Sequence, residues 1–245
     1  MPVNLPDPEG IAADLITRAG ITYPPVFPDK ITKLWPGLRI SYDDLDKEGF
    51  LVDLGSKGGE IVVKITDVTA RRRFTIAHEL GHWVLRTFNN SKIACSGAIG
   101  SRNRPVEKWC DEFAGALLIP SAWLTQQIRK ARIGGLTTFI LNGPKQYEVS
   151  RDAFFQRVAQ ATPISICELS RDAQTVIPTR KFLSRRMTEE NLLNIISVTR
   201  SVIQAEPTVS NRVVVDGFVV LRQRLSRDKG QEKWMLCIFP RAAGT

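Results

Sequence analysis

His78, Glu79 and His82 stand in the pattern H-E-x-x-H, within Arg71-Arg72-Arg73-Phe74-Thr75-Ile76-Ala77-His78-Glu79-Leu80-Gly81-His82-Trp83. On a helix, positions four apart lie on one face, one turn apart. Two imidazoles so placed can share one Zn²⁺ at roughly 2.0–2.1 Å. Glu79 follows the first histidine directly, which leaves its carboxylate free to act as a base on water. The chain has two histidines in all, and both are in this motif. Leu85 and Phe88 stand where the longer H-E-x-x-H-x-x-G-x-x-H signature needs Gly and His. A third ligand must therefore be a carboxylate or a thiolate.

The elements that must position these groups are legible nearby. Phe74, Ala77, Leu80, Val84 and Phe88 recur at helical spacing, so the motif sits on an amphipathic helix. Thr66 or Asp67 is placed to cap it, and it runs to about Phe88. A second helix spans 105–119, opened by Pro105 and stopped by Pro120. Trp109, Phe113, Ala116 and Leu117 form its buried side. Glu107 and Asp111, four apart, share another face. Glu107, 25 residues beyond His82, is the best third ligand, since two His and one Glu form a catalytic zinc set that keeps one position open. Asp111 is placed to accept a hydrogen bond from a ligand histidine and fix its tautomer. Other readings stay open: Glu112 in place of Glu107, a thiolate from Cys95 or Cys110, or Glu107 and Asp111 as plain exposed charges. Cys95, Cys110, Cys167 and Cys237 form no C-x-x-C pair and read as reduced thiols.

The two segments together resemble the ImmA/IrrE family of bacterial and phage metallopeptidases. The resemblance is carried by Arg71, Arg73 and Phe74-Thr75-Ile76-Ala77-His78-Glu79-Leu80-Gly81-His82, then by Glu107, Cys110, Phe113-Ala114 and Leu117-Leu118-Ile119-Pro120. It covers about residues 10–160 and is specific over 71–120. It implies that His78, His82 and Glu107 bind the metal, with Zn²⁺ expected and Mn²⁺ as the alternative ion, and that Glu79 is the catalytic base. Where Cys110 stands, the family more often has Ala. The resemblance further implies a gluzincin-like endopeptidase that cleaves a helix-turn-helix repressor and so derepresses stress, radiation-response or mobile-element genes. The competing classes are a non-catalytic DNA- or repressor-binding regulator and a toxin–antitoxin component.

Composition narrows the setting. At 245 residues, 43% hydrophobic and 24% charged, the chain can bury a core without disulfides, as ordinary soluble proteins do. The first residues carry no charged and apolar signal pattern, and no apolar run approaches the roughly 20 residues a membrane span needs, so a cytoplasmic protein with no membrane partner is expected. The net charge of +9 is one-sided: residues 1–128 carry 15 basic and 15 acidic side chains, residues 129–245 carry 19 and 10. Such a segment suits an anionic partner, nucleic acid first and so possible contact with DNA, or simply a solvated basic face.

The remaining elements follow from local signals. Residues 7–20 read as a helix capped by Asp7, with Pro8 in the first turn. Strands are predicted at 38–42, 50–54 and 60–65. These would form a small antiparallel sheet beside the metal helix, with strand 60–65 as an edge that could hold an extended substrate. Residues 89–104 are a long polar connection, either gating the cleft or disordered. Helices are predicted at 122–132, 136–147 and 150–160, with a break at Gly134-Gly135 and a cap at Ser150. The last of these, with Arg151, Gln156 and Arg157 outside and Phe154, Phe155 and Val158 inside, resembles a helix-turn-helix second helix. A simple helical pair covering the peptidase domain is the other reading. Strands at 164–169, 212–224 and 234–239, a helix at 188–203 and a hairpin at Asp216-Gly217 complete the chain. The expected fold class is α+β: a zinc-peptidase domain over 1–133, a helical, helix-turn-helix-like segment over 134–162, and a small C-terminal α+β module over 163–245. Some members of the resembled family end in a sensor-like domain, but these last residues carry no signature of one.

Overall fold

The computed structural model describes residues 5–89, 104–171, 176–204, 212–228 and 231–241. Its contacts separate two units, Met1–Trp123 with Gly143–Ala153 and Leu124–Asn142 with Phe154–Thr245. Among the described residues the protein is a mixed α+β structure, and no helix is long and apolar enough to cross a membrane.

The first unit opens on helix α1 (Pro8–Arg18). The Asp7 carboxylate accepts hydrogen bonds from the Glu9 and Gly10 amides at 3.2 and 2.9 Å, satisfying donors that the helix itself cannot. A short helix α2 (Pro28–Thr32) follows the proline-rich stretch. Strands β1 (Leu38–Asp43), β2 (Gly49–Asp53) and β3 (Gly59–Lys64) lie where the sequence predicts them. The sheet they form is mixed rather than antiparallel. Its order is β1-β3-β2, with β1 parallel to β3 and β2 antiparallel to it. Strand 60–65 is therefore central, and both its edges are paired. The cause is its alternation: Gly59, Ile61 and Val63 are buried along one face, which makes β3 the strand that gains most from a neighbour on each side. The edges belong to β1 and β2.

Helix α3 (Thr69–Asn89) begins beyond the expected caps at Thr66 and Asp67. The Ile65 amide still donates to the Asp43 carbonyl, prolonging the β1–β3 ladder, and the chain turns before the Val68 carbonyl accepts from the Arg71 and Arg72 amides. Ile76, Ala77, Leu80, Val84 and Leu85 are buried along α3, as the apolar spacing requires. Gly49 of β2 comes so close to this helix that a Cβ there would lie 2.5 Å from Thr75 Cγ2. Helix α4 (Arg104–Leu118) packs against both α1 and α3. Trp109 stacks on Phe113, and its indole N–H donates to the Pro6 carbonyl at 2.6 Å. The connection expected over 89–104 lies outside the described residues from 90 to 103.

Helix α5 (Ser121–Tyr147) breaks at Arg132, whose φ of 49° and ψ of −178° are non-helical. The expected break at Gly134-Gly135 is absent, and both glycines lie within helix. Starting the second part early places Leu136 and Ile140, both buried, on one face. That burial offsets the roughly 1 kcal/mol each helical glycine costs. Ser150 caps α6 (Arg151–Ala161), its hydroxyl accepting from the Ala153 amide at 3.1 Å. Phe154, Phe155 and Val158 are buried as predicted. Arg157 is buried too, while Arg151 and Gln156 are exposed.

In the second unit, β4 (Ser165–Arg171), β5 (Val176–Phe182), β6 (Arg212–Val215), β7 (Phe218–Asp228) and β8 (Gln231–Pro240) form an antiparallel sheet ordered β5-β4-β8-β7-β6. β5 is not among the predicted strands; its Pro178 is tolerated because β5 is an edge, next to an irregularity in register at Glu168/Leu169. Helix α7 (Glu189–Gln204) supplies Leu192, Ile195 and Ile196 to a core shared with Cys167, Leu169 and Leu236. On the other face of β4, the Phe182 ring meets Phe155 edge-on. The hairpin at Asp216-Gly217 is present, both residues having positive φ.

Candidate metal centre

α3 delivers His78, Glu79 and His82 together because H-E-x-x-H occupies one turn of a helix whose other side is anchored in the core. The two Nε2 atoms face each other at 3.2 Å, with the rings edge to face. α4 brings Glu107 against them: Oε2 lies 3.3 Å from His78 Nε2 and Oε1 lies 3.6 Å from His82 Nε2. A tetrahedral ion with bonds of roughly 2.0–2.1 Å has ligand–ligand edges of about 3.3 Å. The three separations lie close to that figure, the two to Glu107 being made by different carboxylate oxygens, so this donor set is compatible with a zinc-sized cation. The Cys110 Sγ and one ring nitrogen from each histidine also lie within 4.8 Å of one another. His78, His82 and Cys110 thus also fit a metal-dependent site. The two groups on α4 are not equivalent: Glu107 oxygens come within 3.3 and 3.6 Å of the Nε2 atoms, whereas the Cys110 group spans up to 4.8 Å.

Asp111, one turn beyond Glu107, sits 2.9 Å from His78 Nδ1, where it can fix the tautomer that presents Nε2. Glu112 points away and pairs with Lys108 at 3.7 Å on the surface. Cys95 lies outside the described residues.

The electrostatics are asymmetric. Burial pulls the His78 pKa down, but the hydrogen bond that its Nδ1–H donates to Asp111 and the charges of Glu79, Asp111 and Glu107 outweigh it, and the net shift is upward. His82 is pushed down to about 4 by burial and by the neighbouring His78. In the ion-free protein the pair therefore carries its proton on His78. Burial raises the Glu79 carboxyl; opposing it are the His78 charge, a hydrogen bond from the Leu51 amide on β2 and the Lys47 charge. A raised carboxyl beside two imidazoles is what a general base needs. His82 Nδ1 has no hydrogen-bond partner among the described residues.

Two supporting features are missed by the sequence reading. The Leu51 amide holds Glu79, and a backbone donor leaves no trace in residue type. Arg73 is buried, its guanidinium donating to the carbonyls of Val26, Tyr147 and Glu148 and pairing with the Glu148 carboxylate at 3.1 Å. Its signal was available: Arg73 falls three and seven positions before Ile76 and Leu80, on the buried face. At Gly81, a Cβ would lie 3.1 Å from Phe113 Cδ1 and 3.3 Å from Cys110 Cα and Cβ, so the missing side chain is what lets α4 approach α3 closely enough for Glu107 to reach both histidines.

Residues 36–158 match the model of a family described as the IrrE N-terminal-like domain, peptidase M78. No curated protein matches the sequence. Among solved structures, a Mycobacterium tuberculosis transcriptional regulator superposes with a TM-score of 0.55 at 15% identity, over 96% of this chain and 76% of that one. At that identity the likeness is one of fold.

Proposed function

Because the chain belongs to the IrrE-like peptidase M78 family, a family of metallopeptidases tied to regulation, we propose that it is a metal-dependent endopeptidase that cuts a helix-turn-helix repressor at one site and so derepresses stress or mobile-element genes. The observation that carries this reading is the convergence of His78, His82 and Glu107 at tetrahedral spacing, with Glu79 beside them on the same helical turn. His78, His82 and Glu107 would hold the ion, zinc first and manganese second. When bound, the ion would supply Lewis acidity that polarises a peptide carbonyl and acidifies water. The Glu79 carboxylate would take a proton from the attacking water and pass it to the leaving amine. The Leu51 amide keeps that carboxylate aimed while Asp111 keeps the His78 ring turned. With β3 buried in its sheet, the edge suited to an extended substrate is β2, which already touches Glu79 through Leu51.

Incubating the purified protein and Zn²⁺ or Mn²⁺ with the repressor encoded beside its gene tests the reading. A single cut is expected, lost in Glu79→Gln while that variant still binds metal; cleavage retained by Glu79→Gln would remove Glu79 as the base. A second reading is favoured by the basic excess of residues 129–245 and by the fold shared with a transcriptional regulator: a DNA-binding regulator with an idle metal site. Salt-dependent DNA binding with no cleavage of the repressor would favour it.

A further inference from the structure

Arg71, Thr75, Glu79 and Arg86 follow one another along α3 at steps of four, four and seven residues, so they form one stripe on the helix. β2 is laid along that stripe. At its start Arg71 pairs with Glu48, whose carbonyl accepts from the Lys64 amide at 2.9 Å. Gly49 meets Thr75 so closely that a side chain there would have no room. At the far end Arg86 Nη2 lies 2.7 Å from Asp53 Oδ1 and donates to the Gly55 carbonyl at 3.2 Å, while the Gly55 amide donates to the same carboxylate oxygen at 2.7 Å. The Arg86 guanidinium is itself set over the Trp83 ring, 4.7 Å from its centre, and that ring fills the space a Gly59 side chain would enter. Two backbone bonds fix which groups of β2 are left over. Glu48 bonds Lys64, and the Leu54 amide donates to the Gly58 carbonyl at 3.0 Å. Bonded positions alternate along an antiparallel pair, so Phe50 and Val52 turn their amides to β3, while Gly49, Leu51 and Asp53 turn theirs to the open edge. Leu51 is the middle one of these three, and its amide donates to Glu79.

Resting on the reading that Glu79 is the base and β2 the substrate edge, we propose that Arg86 and Asp53 are positioning residues: their contact sets the register of β2 along α3 and so places the open-edge groups of Leu51 against the Glu79 carboxylate. An extended peptide added to that edge is then presented to the base at one fixed point of its length. The pair acts on position more than on stability. Its side chains are 27% and 47% exposed, and ion pairs so placed contribute little to folding. A misplacement of about 1 Å at a reacting group, in contrast, costs up to about 100-fold in rate. The planar guanidinium holds its two partners in fixed directions, which the rotating ammonium of a lysine does not.

Amide hydrogen exchange on the full chain, followed residue by residue by NMR, tests this without a substrate. The Leu51 amide is expected to exchange slowly although it faces the open edge. Arg86→Met and Asp53→Ala should each speed it by about tenfold or more, while Phe50 and Val52 keep the rates of the unmodified protein. The double variant should be no faster than either single one, because both remove the same contact. Arg86→Lys should fall between. In the cleavage assay with the neighbouring repressor, the same variants should lower kcat by about 10–100-fold with KM little changed. An unchanged Leu51 rate in both single variants would overturn the proposal. So would equal acceleration at Phe50, Leu51 and Val52, which would make the pair a plain fastening of the sheet. The expected exchange pattern in a protein that leaves the repressor intact would uphold the register and remove the proposed reaction instead.

Discussion

At the scale of single residues, the two histidines differ more than the symmetry of H-E-x-x-H suggests. Metal ligation needs both imidazoles neutral. His78 holds its proton above the usual histidine range, whereas His82 is neutral down to about pH 4. As pH falls through the raised His78 pKa, one proton should compete with the ion, and affinity should decline about tenfold per pH unit. A second histidine proton should enter only near pH 4. Calorimetric titration in buffers of different ionisation heat reads those proton counts; two protons released together near neutrality would contradict the asymmetry. Asp111→Asn separates two effects of one side chain. Loss of its charge should lower the His78 pKa, shifting the onset of proton competition to lower pH. Loss of the ring's orientation should weaken affinity at high pH by roughly 10–100-fold. An unchanged pH profile with full affinity would make Asp111 an ordinary surface carboxylate. That the histidines, Glu79, Glu107 and Asp111 stand close together could be read from the sequence because their placement depends on residue type and helical spacing. The Leu51 amide could not, because every residue but proline carries one.

At the scale of elements, the site is a contact between two helices. Helix α3 brings His78, His82 and Glu79, and α4 brings Glu107; Gly81 sets their separation. Gly81→Ala should gain up to about 1 kcal/mol of helix propensity. It should also force α4 outward by a few tenths of an ångström, because two of the three atoms it meets are Cys110 Cα and Cβ, which cannot swing aside. Metal affinity should fall several-fold with global stability little changed, as read by competition with a chromophoric chelator and by urea denaturation; affinity equal to the parent protein would show that α4 has slack. Arg73→Met tests the other anchor of α3. It would leave the carbonyls of Val26, Tyr147 and Glu148 without their cationic donor and should cost on the order of 3 kcal/mol, seen as a lower urea midpoint. Strand positions were legible from alternation and turn residues, but their pairing was not. Whether β1 lies parallel to β3 or beside β2 depends on which strand is central, and that follows from the burial of Gly59, Ile61 and Val63 along β3, which their residue types alone do not rank against β1 and β2. The break in α5 fell at Arg132 rather than at the glycines because burial of Leu136 and Ile140 outweighs local propensity.

At the scale of the whole molecule, the candidate metal donors belong to one unit. His78, His82 and Glu107 all lie in Met1–Trp123, whereas the sheet built from β4 to β8 has its own core around Leu192, Ile195 and Leu236. An ion that binds the native state alone stabilises what its ligands hold together, by about 2.7 kcal/mol at a free concentration one hundred times its Kd. That stabilisation should be confined to the unit containing α3 and α4. Local opening free energies differ across a structure, and amide hydrogen exchange reads them segment by segment. Removing the ion with a chelator should therefore lower protection in α3 and α4 while leaving β4, β7 and β8 within error of the loaded protein. Glu107→Gln, compared with and without zinc, should show a smaller difference in the same helices, since one of the donors joining α4 to α3 is weakened. Equal loss of protection in both units would mean that they open as one cooperative block. The ion would then be a general stabiliser rather than a local clasp between two helices.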